Sequence, residues 1–285
     1  MSNLTQRVLT AIVAIPIAGW AIYAGDAPFA LLLAVLAGVG AWELYRIARG
    51  AGVDPLDGIG IAIAAAIPLA VHATRLGWLD RPLAMVSVVF VALIGVVLFG
   101  RGPGEHPLET VSVTLFGALY AGGPLSCAYM LRHHPWVVGD VAGTVLLGFP
   151  ILITWATDIG AYTFGRLFGR AKLMPQVSPG KTRAGAYGGL ALGIAVALMY
   201  NLMVLKPQAH VALTWSTAVI FGVVTAAAVQ VGDLAESLFK RQGGVKDSSN
   251  FFPGHGGVLD RLDSLYFSLP VAYLVLGRLL LPVPS

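Results

Sequence analysis

The stretch 237–263 reads SLFKRQGGVKDSSNFFPGHGGVLDRLD, and the rest of the chain is arranged around it. It gathers Lys240, Arg241, Lys246, Asp247, His255, Asp260, Arg261 and Asp263 into one short span, with Asp233 and Glu236 just before it. Gly243, Gly244, Gly254, Gly256 and Gly257 lie among them. On both sides the sequence turns apolar. Charges of both signs, set among glycines and flanked by hydrophobic helices, are hard to explain as packing. Such a cluster suits phosphate oxygens and a metal ion at a membrane surface, and the flanking runs are the frame that holds it there.

Composition supports the frame. Of 285 residues, 57% are hydrophobic and only 11% charged, and the mean hydropathy is +0.79. A soluble domain carries about 25% charged residues, so the chain reads as an integral membrane protein. The net charge of +4 has a bland cause in lysines and arginines kept on the cytoplasmic side. With no soluble basic domain to meet a duplex, no nucleic-acid partner is expected. The single cysteine, Cys127, excludes an internal disulfide and a cysteine zinc site. The apolar run after Arg7 lacks a small-residue cleavage site and is expected to be a retained first span.

Runs long enough to cross a bilayer, roughly 20 residues each, fall near 8–25, 28–45, 57–74, 82–100, 110–131, 139–163, 184–205, 213–236 and 262–282. The expected fold is therefore an all-α polytopic membrane bundle of about nine transmembrane helices. Basic residues orient it. With the N-terminus cytoplasmic, 13 lysines and arginines fall inside and 5 outside, and the C-terminus lies outside. Residues 1–135 are expected to form a scaffold with lipid access, and 136–285 a catalytic region whose site faces the cytoplasm. Gly185, Gly189 and Gly193 share one helix face. The reading is a tight helix–helix contact, with a homodimer contact as the alternative. In the first five spans only Glu43 carries chemistry, near the inner interface, and His133 and His134 are given no role.

Chemistry begins at Asp158, since a carboxylate inside a spanning helix is costly and is a functional hypothesis by default. A basic loop with Arg166, Arg170 and Lys172 follows, leading into Ser178–Pro179–Gly180–Lys181–Thr182. This is not a P-loop: that motif needs glycine at position 175, which is proline. What remains is a glycine-relaxed turn whose Ser178, Lys181 and Thr182 can hold phosphate oxygens at a helix start. Farther on, Asp233, Glu236, Ser237 and Lys240 follow spacings of three and four and so share a helix face, as do Asp260 and Asp263. Oxygen ligands without cysteine or a histidine pair suit Mg²⁺ held partly by substrate phosphates. Nearby lysines and arginines suit the phosphates themselves. His255 could move a proton, donate to a phosphate, or only brace its turn. Phe251 and Phe252 read as an anchor at the lipid headgroups.

Ser237 to Arg241, Lys246–Asp247 and the run Pro253 to Asp263 together resemble the signature of the phosphatidate cytidylyltransferases, the CDP-diacylglycerol synthases of bacterial inner membranes. Asp158 to Tyr162 and Ser178 to Thr182 match the same family upstream. The resemblance covers about 150–265. It implies a multi-pass inner-membrane enzyme that joins CTP to phosphatidate from the bilayer, releasing pyrophosphate, with Mg²⁺ at two positions or a monovalent ion at the second. For that reaction the catalytic roles are expected to fall to Asp233, Asp260, Lys246 and His255. Metal would fall to Asp233 and Asp260, with Asp158 and Asp263 as auxiliary ligands. Ser178, Lys181 and Thr182 would take the nucleotide, and Ser237, Lys240, Arg241, Asp247 and Arg261 the remaining substrate contacts.

Two other readings predict different products or a different layout. A CTP-dependent lipid kinase would transfer the γ-phosphoryl group and release CDP instead of pyrophosphate. A transporter would place its acids at the midplane of an inverted repeat, whereas here the charges gather at one interface.

Overall fold

In hydrocarbon a long apolar run must bond its own backbone groups, and a helix does so within one segment. The computed structural model describes residues 3–282, with the side chains of all of these except 3–5, 82 and 83. Its helices are α1 (Asn3–Ala24), α2 (Asp26–Gly50), α3 (Asp57–Arg75), α4 (Pro82–Gly100), α5 (Pro107–Arg132), α6 (Asp140–Phe168), α7 (Arg183–Tyr200), the short α8 (Lys206–Ala209), α9 (Trp215–Gln242) and α10 (Leu259–Leu279). A π-helical turn, Asn201–Leu205, joins α7 to α8. Among the described residues, eight helical stretches are long and apolar enough to cross a membrane, and Ala84–Gly100 of α4 is a shorter apolar helix. The protein is an all-α polytopic membrane protein. Each of the nine expected spans coincides with a helix. The extreme ends of the two stretches expected as domains, 1–2 and 283–285, lie outside the described residues.

The helix boundaries around the charged stretch differ from expectation. α9 runs on to Gln242 and α10 begins at Leu259, so the loop between them is only 243–258. α9 extends past the apolar run because Glu236, Leu238, Lys240, Arg241 and Gln242 are good helix formers. A second difference is local. The segment expected as a glycine-relaxed turn is a strand, β2 (Ser178–Thr182), paired antiparallel with β1 (Lys172–Met174). The turn falls earlier, where Val177 N donates to Met174 O at 3.2 Å. A smaller antiparallel pair joins β3 (Val211–Ala212) to β4 (Leu281–Pro282).

The chain divides into two compact units. The first comprises 1–21, 26–129 and 239–261, and the second 22–25, 130–238 and 262–285. In the first unit, α2 is the central element. Its Ala30, Leu33, Ala37, Ala41, Leu44 and Tyr45 are buried. The Tyr45 hydroxyl donates to Thr114 O at 2.6 Å, and Gly60 and Gly117 leave the room its ring occupies. Phe239 packs edge-on against Phe116 and Tyr120, and Gly243 sits against the backbone of Ile47.

In the second unit, α6 and α7 meet along their glycines. A methyl group on Gly185 would lie 2.6 Å from Ala161 O, one on Gly189 2.8 Å from Thr157 O, and one on Gly193 2.8 Å from Thr157 Oγ1. The glycine face is thus a contact within the chain. Gly160 makes the reciprocal approach from α6, toward Gly188 O. Arg132, nearly fully buried, donates to Ile22 O and Tyr23 O at 2.7 Å and to Asp140 at 2.9 Å.

Candidate active site

Among the described residues, each unit holds a polar cluster that includes expected site residues. In the second unit, α6 supplies Asp158, Tyr162 and Arg166, the β1–β2 hairpin supplies Lys181, and α9 supplies Gln230 and Asp233. They line a cavity of about 530 Å³. Lys181 Nζ lies 2.6 Å from Asp233 Oδ2. Asp233, Asp263 and Lys181 are the charged neighbours of the Asp158 carboxyl. Asp263 accepts a hydrogen bond from its neighbour Ser264 N at 2.6 Å. Arg166 donates to the Tyr162 hydroxyl at 3.2 Å, and Gln230 is held by its donation to Ala186 O at 3.2 Å.

Thr182 has a defined local duty. Its backbone is extended, and its Oγ1 accepts from Gly185 N at 3.1 Å, so it caps the N-terminus of α7. That cap fixes the end of β2 and with it the place of Lys181. Ser178 begins the same strand, half-buried. Ser237 lies half-buried on α9, beside the buried Glu236.

In the first unit the cluster is built on two acids. Asp260, in the first turn of α10, accepts at Oδ1 from Lys240 Nζ at 2.7 Å. Its Oδ2 accepts from Gly257 N at 2.8 Å, Ser248 N at 2.9 Å and Ser248 Oγ at 3.0 Å. Glu43, on α2, is fully buried. It accepts from Val258 N at 2.9 Å, Leu259 N at 2.7 Å, Ser248 Oγ at 2.9 Å and the hydroxyl of Ser249.

The glycines explain themselves here. A methyl group on Gly256, whose φ is +85°, would lie 2.8 Å from Asp260 Oδ2. One on Gly257 would collide with Ser248 Oγ and Glu43 Oε1. Only glycine lets the backbone come this close to both carboxylates.

The remaining expected residues of this unit fall in the same loop. Arg261 donates from Nε to His255 O at 2.7 Å, and His255 N donates to Phe252 O at 2.8 Å, so this part of the loop is braced through its backbone. His255 Nδ1 is buried with no hydrogen-bond partner among the described residues. Arg241 reaches Val245 O at 3.4 Å. Lys246 and Asp247 line a second cavity of about 590 Å³ with Trp42, Arg46, Ser249 and Phe251. Arg46 stacks over the Trp42 ring, 5.0 Å from its centroid. Phe251 and Phe252 meet edge to face at 5.1 Å.

The family model described as the cytidylyltransferase family matches residues 5–279. The chain belongs to the cytidylyltransferase family. It is 36% identical over 276 residues to the phosphatidate cytidylyltransferase of Pseudomonas aeruginosa, covering 94% of this chain and 95% of that protein. It is 29% identical over 282 residues to that of Bacillus subtilis, covering 97% and 99%. Against that of Brucella suis it is 34% identical over 277 residues, covering 96% and 93%. In this cytidylyltransferase the match runs through both units and is not confined to the charged stretch.

Set beside the expected site, the second unit brings Asp158, Lys181, Asp233 and Asp263 into one neighbourhood, with Thr182 alongside. The first unit brings Lys240 and Asp260 together and sets Arg261 and His255 on one brace. Sequence reasoning gave no role to Arg166, Tyr162 and Gln230 of the cavity, nor to the serine pair Ser248–Ser249. For Glu43 the available signal was a carboxylate in an apolar helix, but its partners lie more than two hundred residues away.

The donor set suits a hard divalent cation in the second unit. Lys181 pairs with Asp233 there, and Asp158 and Asp263 add two further hard oxygen donors nearby. Among the described residues, no three histidine, cysteine, aspartate or glutamate side chains converge as a ready metal cage. Mg²⁺ does not require one, because it commonly takes one or two carboxylates, water and substrate phosphates. Asp260 fits less directly, since all its described donors must share it with any ion.

Proposed function

We propose that this chain is a phosphatidate cytidylyltransferase of the cell inner membrane, transferring CMP from CTP to phosphatidate to give CDP-diacylglycerol and pyrophosphate. The observation that carries this reading is the charged cavity of about 530 Å³ bearing Asp158, Arg166, Lys181 and Asp233, in a chain of this family. Apolar spans give such a cavity no packing purpose, and its mixed charges suit a nucleotide with its counter-ion. The names of the relatives support phosphatidate as the acceptor.

In this reading a phosphatidate phosphate oxygen attacks the α-phosphorus of CTP. The bond from that phosphorus to the oxygen bridging to the β-phosphate breaks, and pyrophosphate leaves with the electron pair. The attacking oxygen is already anionic, so no strong base is needed. The protein's work is positioning and charge neutralisation. In the second unit, Ser178, Lys181 and Thr182 hold the nucleotide. In the first, Lys240, Arg241, Lys246 and Arg261 take phosphate oxygens, with Ser237, Asp247 and His255 as further contacts.

Asp233, with Asp158 and Asp263, would hold Mg²⁺, and Asp260 would serve a second position, for Mg²⁺ or a monovalent ion, once Lys240 turns to a phosphate. When bound, Mg²⁺ neutralises charge on the attacking and leaving oxygens. The excess of lysine and arginine on one side supports a cytoplasmic N-terminus and a site facing the cytoplasm, where CTP is found. Residues 1–135 then serve as scaffold and lipid access and 136–285 as the principal catalytic region. A homodimer would use a surface other than the glycine face of α7.

The test uses purified protein in detergent with phosphatidate, Mg²⁺ and CTP labelled at the α-phosphate. Label should pass to the lipid and the transfer should stop in EDTA. Label passing only from the γ-phosphate would mean a lipid kinase, and neither transfer, in folded protein, would overturn the enzyme reading.

A further inference from the structure

The Glu43 carboxyl sits in an apolar helix, fully buried, and every hydrogen bond it accepts comes from the loop or the first turn of α10. Two of its donors are backbone N–H groups at that helix start, which have no partner within the helix. The other two are the Ser248 and Ser249 hydroxyls. Ser248 is the link. Its Oγ stands 2.9 Å from Glu43 Oε2 and 3.0 Å from Asp260 Oδ2, and its backbone N–H donates to Asp260 at 2.9 Å. A hydroxyl carries one hydrogen, so it can serve one of the two acids at a time. Gly257 extends the same arrangement, donating to Asp260 while leaving room for both Ser248 and Glu43.

We propose that Glu43 is a positioning residue for the transfer reaction: through Ser248 and the start of α10 it fixes the rotamer of Asp260, and thereby the place of Lys240. This rests on the reading of Asp260 and Lys240 as members of the site. Glu43 is remote from the signature in sequence and touches no substrate in this scheme. It acts by accepting what would otherwise be orphaned donors, so that the loop has a single arrangement around Asp260. A glutamine cannot replace it. One side of the amide would turn an N–H toward a backbone N–H, and only the serine hydroxyls could rotate to accommodate it.

The test compares wild type with Glu43→Gln, Ser248→Ala and the double variant, measuring kcat and KM for CTP by transfer of label from the α-phosphate to phosphatidate vesicles or micelles, with thermal unfolding alongside. Glu43→Gln should lower kcat at least tenfold with KM for CTP within threefold, in protein that still unfolds cooperatively. The double variant should be no slower than the slower single one, because residues acting as a unit do not add. A kcat for Glu43→Gln within twofold of wild type, or losses that multiply in the double variant, would overturn the inference. If Glu43→Gln does not fold, Ser248→Ala decides alone, since it keeps the backbone donor: a tenfold loss supports the inference and a wild-type kcat overturns it. Absence of transfer by the wild type would instead remove the functional reading, and this inference with it.

Discussion

Lys181 Nζ stands 2.6 Å from Asp233 Oδ2, with 24% and 36% of the two side chains exposed. An ion pair this open contributes about 0–1 kcal/mol to stability, too little to explain two charges in an apolar helical unit. Asp233→Asn and Lys181→Met should therefore barely change thermal unfolding in detergent, while lowering CMP transfer on the order of 10²–10³-fold, the scale of a lost electrostatic contact in a transition state. Stability and activity falling together would assign the pair to packing instead.

Thr182 separates two duties that the sequence merges. Its hydroxyl oxygen caps α7 through Gly185 N, while its hydrogen remains able to reach a nucleotide. Thr182→Val removes both and should cost about 1 kcal/mol of stability together with activity. Thr182→Ser should keep both. The comparison is made by unfolding in denaturant and by the labelled-CTP assay, and a Thr182→Ser protein as impaired as Thr182→Val would remove the cap from the explanation.

The contact of α6 with α7 yields a third expectation. A side chain at Gly189 meets Thr157 O at 2.8 Å and Ala161 Cβ at 3.3 Å, and a backbone oxygen cannot move aside alone. Gly189→Val should destabilise the protein by about 1–3 kcal/mol or more, as overpacking does. Light scattering should find the mass of the folded fraction unchanged. A change of mass without a change of stability would return this face to contact between copies.

How far the sequence reached depended on the range of each interaction. The spans were legible because apolar runs report burial locally, and the shared faces of Asp233 with Lys240 and of Gly185 with Gly189 follow from helical spacing. The strand at Ser178–Thr182 was not legible: five residues containing proline and glycine read as a turn, and only pairing with Lys172–Met174 makes them a strand. Glu43 was visible as a costly acid, but not its purpose, since no local pattern links it to Ser248 and Leu259. The cap at Thr182 could have been expected from threonine preceding a helix, and was hidden by its reading as a phosphate ligand.

His134 predicts a pH dependence. It lies between α5 and α6, 5% exposed, with Nδ1 accepting from Trp136 N at 3.3 Å, so the neutral ring is the one that fits. Burial lowers its pKa from the usual 6.5. The folded state therefore binds its proton less readily than the unfolded state. The stabilisation is fully present above about pH 6.5 and is lost as pH falls toward and through the folded value, by about 1.4 kcal/mol for each unit between the two. His134→Gln should flatten the stability profile below pH 6.5, measured by thermal unfolding between pH 5 and 8. An unchanged slope would assign the acid sensitivity to other groups.

The loop glycines supply the last expectation, because two of them separate backbone strain from crowding. Gly244 has φ +68° and nothing within 4 Å of an added methyl group. Gly244→Ala thus meets only the left-handed backbone penalty, roughly 1–2 kcal/mol. At Gly257 the added methyl group meets Ser248 Oγ, Glu43 Oε1 and Glu43 Cδ, and these atoms are tied to α10 and to Asp260. Relief requires moving Gly257, which breaks its 2.8 Å donation to Asp260, or moving Glu43, which releases Val258 and Leu259. Gly257→Ala should therefore lose CMP transfer on the order of 10²-fold, and its stability should fall by a further 1–3 kcal/mol or so from overpacking. Gly244→Ala should keep its turnover. If both variants retain turnover, the close approach of backbone to the two acids is a packing detail; if only Gly257→Ala fails, the glycine is there to let Glu43 and Asp260 share one serine.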